Sequence, residues 1–190
     1  MEPKVSNGHL HAPFFIFLRR DPELSDQQIL GHFGLRTHRY SAKLPPFSTY
    51  VVLADVGDWT MLADDWLYQL WHLPSTKAAI ESLAKDRDVF AWSIGDCDES
   101  FEYCLYINGQ LIRHYVVDSP HFDDQVVRVE LGQRLRFESE LLASDLPIVE
   151  KMIRMGANLG INVVVKQEML RIYSRPHKFQ LDPNAAIRNF

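Results

Sequence analysis

Asn108-Gly109, set between the aromatic-rich run Phe101 to Ile107 and the run Gln110 to Val117, constrains this chain more than any other feature. Both residues tolerate the positive φ that a two-residue type I′ turn requires, so the pair predicts a tight hairpin in an antiparallel sheet. Val89 to Ile94 comes before it, across the acidic loop Gly95-Asp96-Cys97-Asp98-Glu99, which makes residues 88–118 three consecutive strands. Counting back from Ile107 facing Gln110 sets Leu105 opposite Ile112, Tyr103 opposite His114 and Phe101 opposite Val116. One face is then apolar, and the other carries Glu102, Tyr106, Arg113 and Tyr115, with Glu102 and Arg113 on the diagonal. A one-residue slip exchanges the two faces, so the face that is buried should hold the register.

Elsewhere the strands follow one another in hairpins, with a few short helices between them, rather than alternating strand with helix. Residues 1–13 read as a flexible arm, and Phe14 to Arg19 as a strand buried on both faces. Ser25 with Gln28 forms a capping box, and Gly34 sits where a helix ends. Arg36 to Pro46 reads as a loop. Thr49 to Val56 and Trp59 to Leu62 read as a hairpin about Gly57-Asp58. Asp64 or Asp65 caps a short helix carrying Leu67, Leu70 and Trp71, Pro74 stops it, and Ser75 caps a second helix burying Ala79, Ile80 and Leu83. Val126 to Val129 predicts one more short strand, while Glu138 to Ala143 fits helix or loop. A helix from Asp145 should bury Val149, Ile153 and Ala157, with Ile161 to Val165 and Leu170 to Tyr173 as the last strands. These readings give a flexible arm over residues 1–13, a single domain over 14–173 and an extended tail over 174–190.

Composition bounds the rest. A chain of 190 residues, 46% hydrophobic and 24% charged, is an ordinary globular sequence. Its apolar runs are strand-sized, far short of the roughly 20 residues of a spanning helix, so no membrane partner is expected. A net charge of −5 argues against a dedicated nucleic-acid binder. No secretory leader is recognisable at the start, so the cytoplasm is the expected compartment. Two cysteines, Cys97 and Cys104, read as reduced thiols. No cofactor motif is present.

The run Asp88 to Phe101, followed by Tyr106-Ile107-Asn108-Gly109-Gln110-Leu111-Ile112-Arg113, resembles a strand-hairpin pattern of uncharacterised bacterial domain families, some of them similar to immunity proteins of polymorphic toxin systems. That resemblance implies a binding role and supplies no catalytic residue.

Candidate chemistry is sparse. Asp96, Asp98 and His121, with Asp123 and Asp124 nearby, would suit a hard cation or acid-base work if the loops converge, since alternate carboxylates ligate calcium. Phe101 stands where a calcium-binding EF-hand loop needs glycine, however, and local turn bonding explains the same residues. Cys97 beside carboxylates is a poor nucleophile. The eight histidines form no zinc spacing. Trp59, Trp66, Tyr68 and Trp71 could line a ligand groove, but the helical spacing of Trp66 and Trp71 around Leu67 and Leu70 reads as core, with Tyr68 off that face, and Arg36, His38, Arg39 and Lys43 read as a solvated loop.

The expectation is therefore an α+β domain: a mainly antiparallel, twisted sheet of about six to eight strands with three or four helices packed on one face. Its leading function is a non-enzymatic cytoplasmic module that binds another protein through the face of Glu102, Tyr106, Arg113 and Tyr115, through the acidic loop, or through both. An enzyme or metal-dependent protein built on Asp96, Asp98 and His121 is the rival. A self-associating protein, a homo-oligomer docking through Phe179 to Phe190, is the third possibility.

Overall fold

The computed structural model describes residues 3–6, 8–10, 12–43, 48–64, 70–95, 99–119 and 125–176. Its elements are β1 (Val5–Ser6), β2 (His9–Leu10), β3 (Phe14–Arg19), α1 (Asp26–His32), β4 (Arg39–Tyr40), β5 (Ser48–Val56), β6 (Trp59–Asp64) and α2 (Pro74–Ala84). There follow β7 (Val89–Ile94), β8 (Phe101–Ile107), β9 (Gln110–Asp118), β10 (Val126–Gly132), α3 (Glu138–Ala143), α4 (Ile148–Asn158) and β11 (Arg171–Pro176). β1 and β2 make a separate ladder, and the other nine strands form one sheet in the order β10-β9-β8-β7-β3-β6-β5-β11-β4, antiparallel throughout.

β3 lies in the middle of this sheet because both of its faces are apolar. Phe15 and Phe17 point into one core, and Phe14, Ile16 and Leu18 into the other. Each fully buried side chain of this kind contributes roughly 1.5–3 kcal/mol. α1 and α2 cover the Phe14 side through Ile29, Leu30, Ala79, Ile80 and Leu83. α4 covers the Phe15 side through Met152 and Met155. The expectation that the helices share one face is thus corrected: a sheet whose central strands are apolar on both faces needs cover on both.

Local signals in the sequence produce the expected elements at several points. Ser25 and Gln28 close the capping box of α1, and Asn108 and Gly109 take φ of 50° and 78° at the β8–β9 turn. Trp71, read as core, is buried in the core beneath α2, and Trp59 is buried in the other core. Other points differ. The short helix expected before Pro74 falls mostly on residues 65–69, outside the described residues, and its end, Leu70–His72, is a single 3-10 turn; Pro74 then begins α2, because proline's missing amide is no loss at the first helical position. Residues 161–165 pair with no strand of the sheet; Ile161, Val163 and Val165 alternate inward along an extended segment lying on the core. α4 is turned from its expected stripe, burying Met152, Met155 and Gly156 while Val149 stays 40% exposed. The arm is not loose where it is described, since Leu10 and Ala12 enter the core. β11 carries Ser174 to Pro176 into the sheet between β5 and β4, where the tail was expected to begin.

Among the described residues no helix is long and apolar enough to cross a membrane.

Candidate functional site

One extra residue in β9 rearranges the predicted binding face. Ile107 faces Gln110 as expected, and Tyr106 faces Leu111, but a bulge then skips Ile112 and sets Leu105 opposite Arg113. From there Cys104 faces His114, Tyr103 faces Tyr115, and Phe101 faces Val117. The slip moves Arg113 and Tyr115 onto the Phe101–Tyr103–Leu105 side, while Glu102 and Tyr106 remain on the other. The four residues expected to form one surface therefore lie on opposite faces of the sheet.

Arg113 is fully buried, against the expectation that it faces solvent. Its Nε donates to Glu138 Oε2 at 3.0 Å and its Nη2 to Glu138 Oε1 at 2.5 Å, a bidentate pair with a carboxylate that is itself only 1% exposed. Nη2 also donates to Glu130 at 3.1 Å, and Nη1 to the carbonyls of Leu131 and Gly132. The guanidinium lies 5.0 Å from the centre of the Tyr115 ring, which packs against Phe101 and Tyr103. Burial works against the Arg113 charge, and the hydrogen bonds it donates to Glu138 and Glu130 outweigh it, so its pKa stands above the ordinary arginine value. Arg113 and Tyr115 thus fasten β9, β10 and α3 together. Burial, with the Glu138 charge behind it, also pushes the Tyr103 phenol far up.

On the opposite face Glu102 gathers three donors. His114 Nε2 lies 2.8 Å and Lys77 Nζ 3.3 Å from Oε1, and Trp71 Nε1 donates to Oε2 at 3.1 Å. Burial raises the Glu102 carboxyl, but the His114, Lys77 and Trp71 contacts prevail and hold it below the ordinary glutamate value. An ionised carboxylate with most of its acceptor sites filled is neither an acid at neutral pH nor a free base. Cys104 stands directly across from His114, which puts cysteine, histidine and glutamate side by side, a grouping that only the bulged register reveals. Burial pushes the Cys104 thiol up to about 12, with Glu102 adding to it, so the thiolate that nucleophilic chemistry needs is absent at neutral pH. Tyr106, packed against the core on this side, has its phenol pushed up to about 12, first by burial.

Beyond Glu102 this face runs onto β9 and β10. Leu111 pairs with Tyr106, Leu131 with His114, and Val126 with Asp118, which places all three apolar side chains on the Glu102 side. They are 38%, 52% and 37% exposed. Arg128 and Asp118 form an ion pair at 2.9 Å near the Val126 end. The Asn108-Gly109 turn already set Leu111 beside Tyr106, but sequence reading missed His114 and Leu131 here, because the facing of His114 depends on the bulge at Ile112 and that of Leu131 also on a second one between Val127 and Val129.

Asp96, Asp98 and His121, expected as a metal or acid-base cluster, lie outside the described residues, as do Cys97, Trp66 and Tyr68. Among the described residues no three His, Cys, Asp or Glu side chains group to hold a metal ion. Comparison with family models, with curated proteins and with solved structures finds no match for this chain, so its functional reading rests on the chemistry of its own surfaces.

Proposed function

We propose that the chain is a non-enzymatic, cytoplasmic protein-binding module, in keeping with the immunity-protein-like pattern of residues 88–118, and that it takes its partner on the outer face of β8, β9 and β10. The observation that carries this is the row Leu111, Leu131 and Val126, three large apolar side chains on one strand-paired face, between 37% and 52% exposed. Apolar side chains grouped on a rigid sheet and bordered by polar groups suit a protein interface. Glu102, His114 and Tyr106 adjoin the row, so two of the four residues first expected to bind keep that role, while Arg113 and Tyr115 support the strand from beneath.

The test is a photo-crosslinking amino acid placed singly at Leu111, Leu131 and, on a segment remote from this face, Val164, in the cells the chain comes from. The expected result is one shared adduct from positions 111 and 131, absent from 164 and abolished by Leu111→Asp in the 131 derivative. Equal adducts from all three positions, or none from 111 and 131, reject the face.

A further inference from the structure

On the other side of the sheet, between α4 and the β1–β2 ladder, lies a cavity of about 160 Å³ lined by His9, Leu10, Ala12, Phe15, Trp92, Ile94, Val149, Ile153 and Val163. Two of these residues carry buried polar atoms without a hydrogen-bond partner, His9 Nδ1 and Trp92 Nε1. Trp92 is 2% exposed. Its indole N–H is a donor only, and a buried donor is normally satisfied. Histidine Nδ1 either donates or accepts according to tautomer. The other seven lining residues are apolar, with no lysine or arginine among them. The site is mostly hydrocarbon, with one fixed donor and one adaptable nitrogen, which is how small-molecule sites are commonly composed.

We propose that this cavity binds a small neutral molecule: a ring-sized hydrocarbon skeleton bearing one acceptor oxygen, of the cyclic or aryl ketone class, whose oxygen takes the Trp92 Nε1 hydrogen bond. Size follows from the volume, which is close to the roughly 150 Å³ of a buried apolar cavity that admits benzene. Neutrality follows from the lining, because a carboxylate taken out of water needs a fixed cationic partner and neither lysine nor arginine lines the cavity. The oxygen follows from the indole, which offers a hydrogen and can accept none. Phe15 is in ring contact with Trp92 at 4.6 Å between centroids, so the indole is held by packing rather than free to turn away from the site.

The full-length protein, labelled with ¹⁵N, gives indole N–H signals from its four tryptophans, and Trp92→Phe identifies the one that belongs to Trp92. Titration with cyclohexanone is expected to move that signal downfield and saturably. Methylenecyclohexane, the same shape with carbon in place of the oxygen, is expected to bind roughly tenfold more weakly, in line with one lost hydrogen bond, and to produce no downfield shift. Ile153→Phe, which fills the cavity while leaving the indole in place, is expected to abolish the response and to keep the Trp92 signal dispersed. If Trp92→Phe does not fold, the signal that Ile153→Phe uncouples from the ketone serves as the assignment. A Trp92 signal that ignores the ketone, or that answers ketone and hydrocarbon alike, overturns the proposal. The same outcomes leave the β8–β10 reading untouched, because that face is tested by crosslinking alone.

Discussion

Arg113 and Glu138 form an ion pair whose members are 0% and 1% exposed. Two charges withdrawn from water this far depend on each other, so removing one strands its partner. Arg113→Met or Glu138→Gln should each lower unfolding stability by about 3–5 kcal/mol, whereas Arg113→Met with Glu138→Leu should lose far less than the sum. Urea denaturation of the three variants checks this; strictly additive losses would show that the pair does not act as a unit. Arginine in the middle of a strand reads from sequence as a solvated residue, since nothing local announces a carboxylate 25 positions further along. Glu102 shows the converse. Its place on a polar face was legible, but its partners Trp71, Lys77 and His114 come from separate parts of the chain and could not be read from the alternation within β8.

The bulge at Ile112 marks the limit of sequence reading for the elements. The strands themselves were legible: β3, β7, β8 and β9 stand where apolar runs, alternation and the Asn108-Gly109 turn put them. The register beyond the turn was not, because Ile112 is a residue that any strand accepts, and the extra position is imposed from across the sheet. Gly132 approaches there so closely that a Cβ on it would sit 2.0 Å from the Ile112 carbonyl oxygen, and its φ is +82°. Gly132→Ala should therefore destabilise the β9–β10 pairing by at least about 1–2 kcal/mol, from the left-handed backbone alone. Amide exchange in β10 should accelerate while the α2 amides keep their protection. Unchanged exchange in β10 would show that the close approach is not needed. α4 teaches the same lesson: Met152 and Met155 form its buried stripe, with Ile153 half-buried beside them and Val149 exposed, a rotation that its own periodicity did not announce.

For the whole molecule, the two cores are the main consequence of the sheet. A continuous apolar run at β3 already implied burial on both faces, and cover from both sides follows from it once β3 is central. Glu102 links several of the covering parts, tying the Trp71 turn, α2 and β9 to β8. Its lowered pKa gives acid sensitivity with a definite sign. The contribution is complete above the ordinary carboxyl value of 4.5 and is lost as pH falls through the lower value of the folded state. Glu102→Gln should accordingly melt below the wild type at neutral pH, with the gap closing as pH falls below 4.5. Paired melting curves across that range measure it, and a gap that stays constant with pH would remove Glu102 from the account.

The two borders of the sheet differ in how they end it. On one side β4 is two residues long, too short to template another chain. On the other, β10 is interrupted at Arg128 and carries that arginine and Glu130 along its rim. Extension of a sheet by identical molecules needs a long, flat, uncharged border, and among the described residues neither side offers one. The described nine-stranded sheet thus gives another copy little border to extend, and the greasy side chains it keeps in view lie on its broad surface, not along its rims.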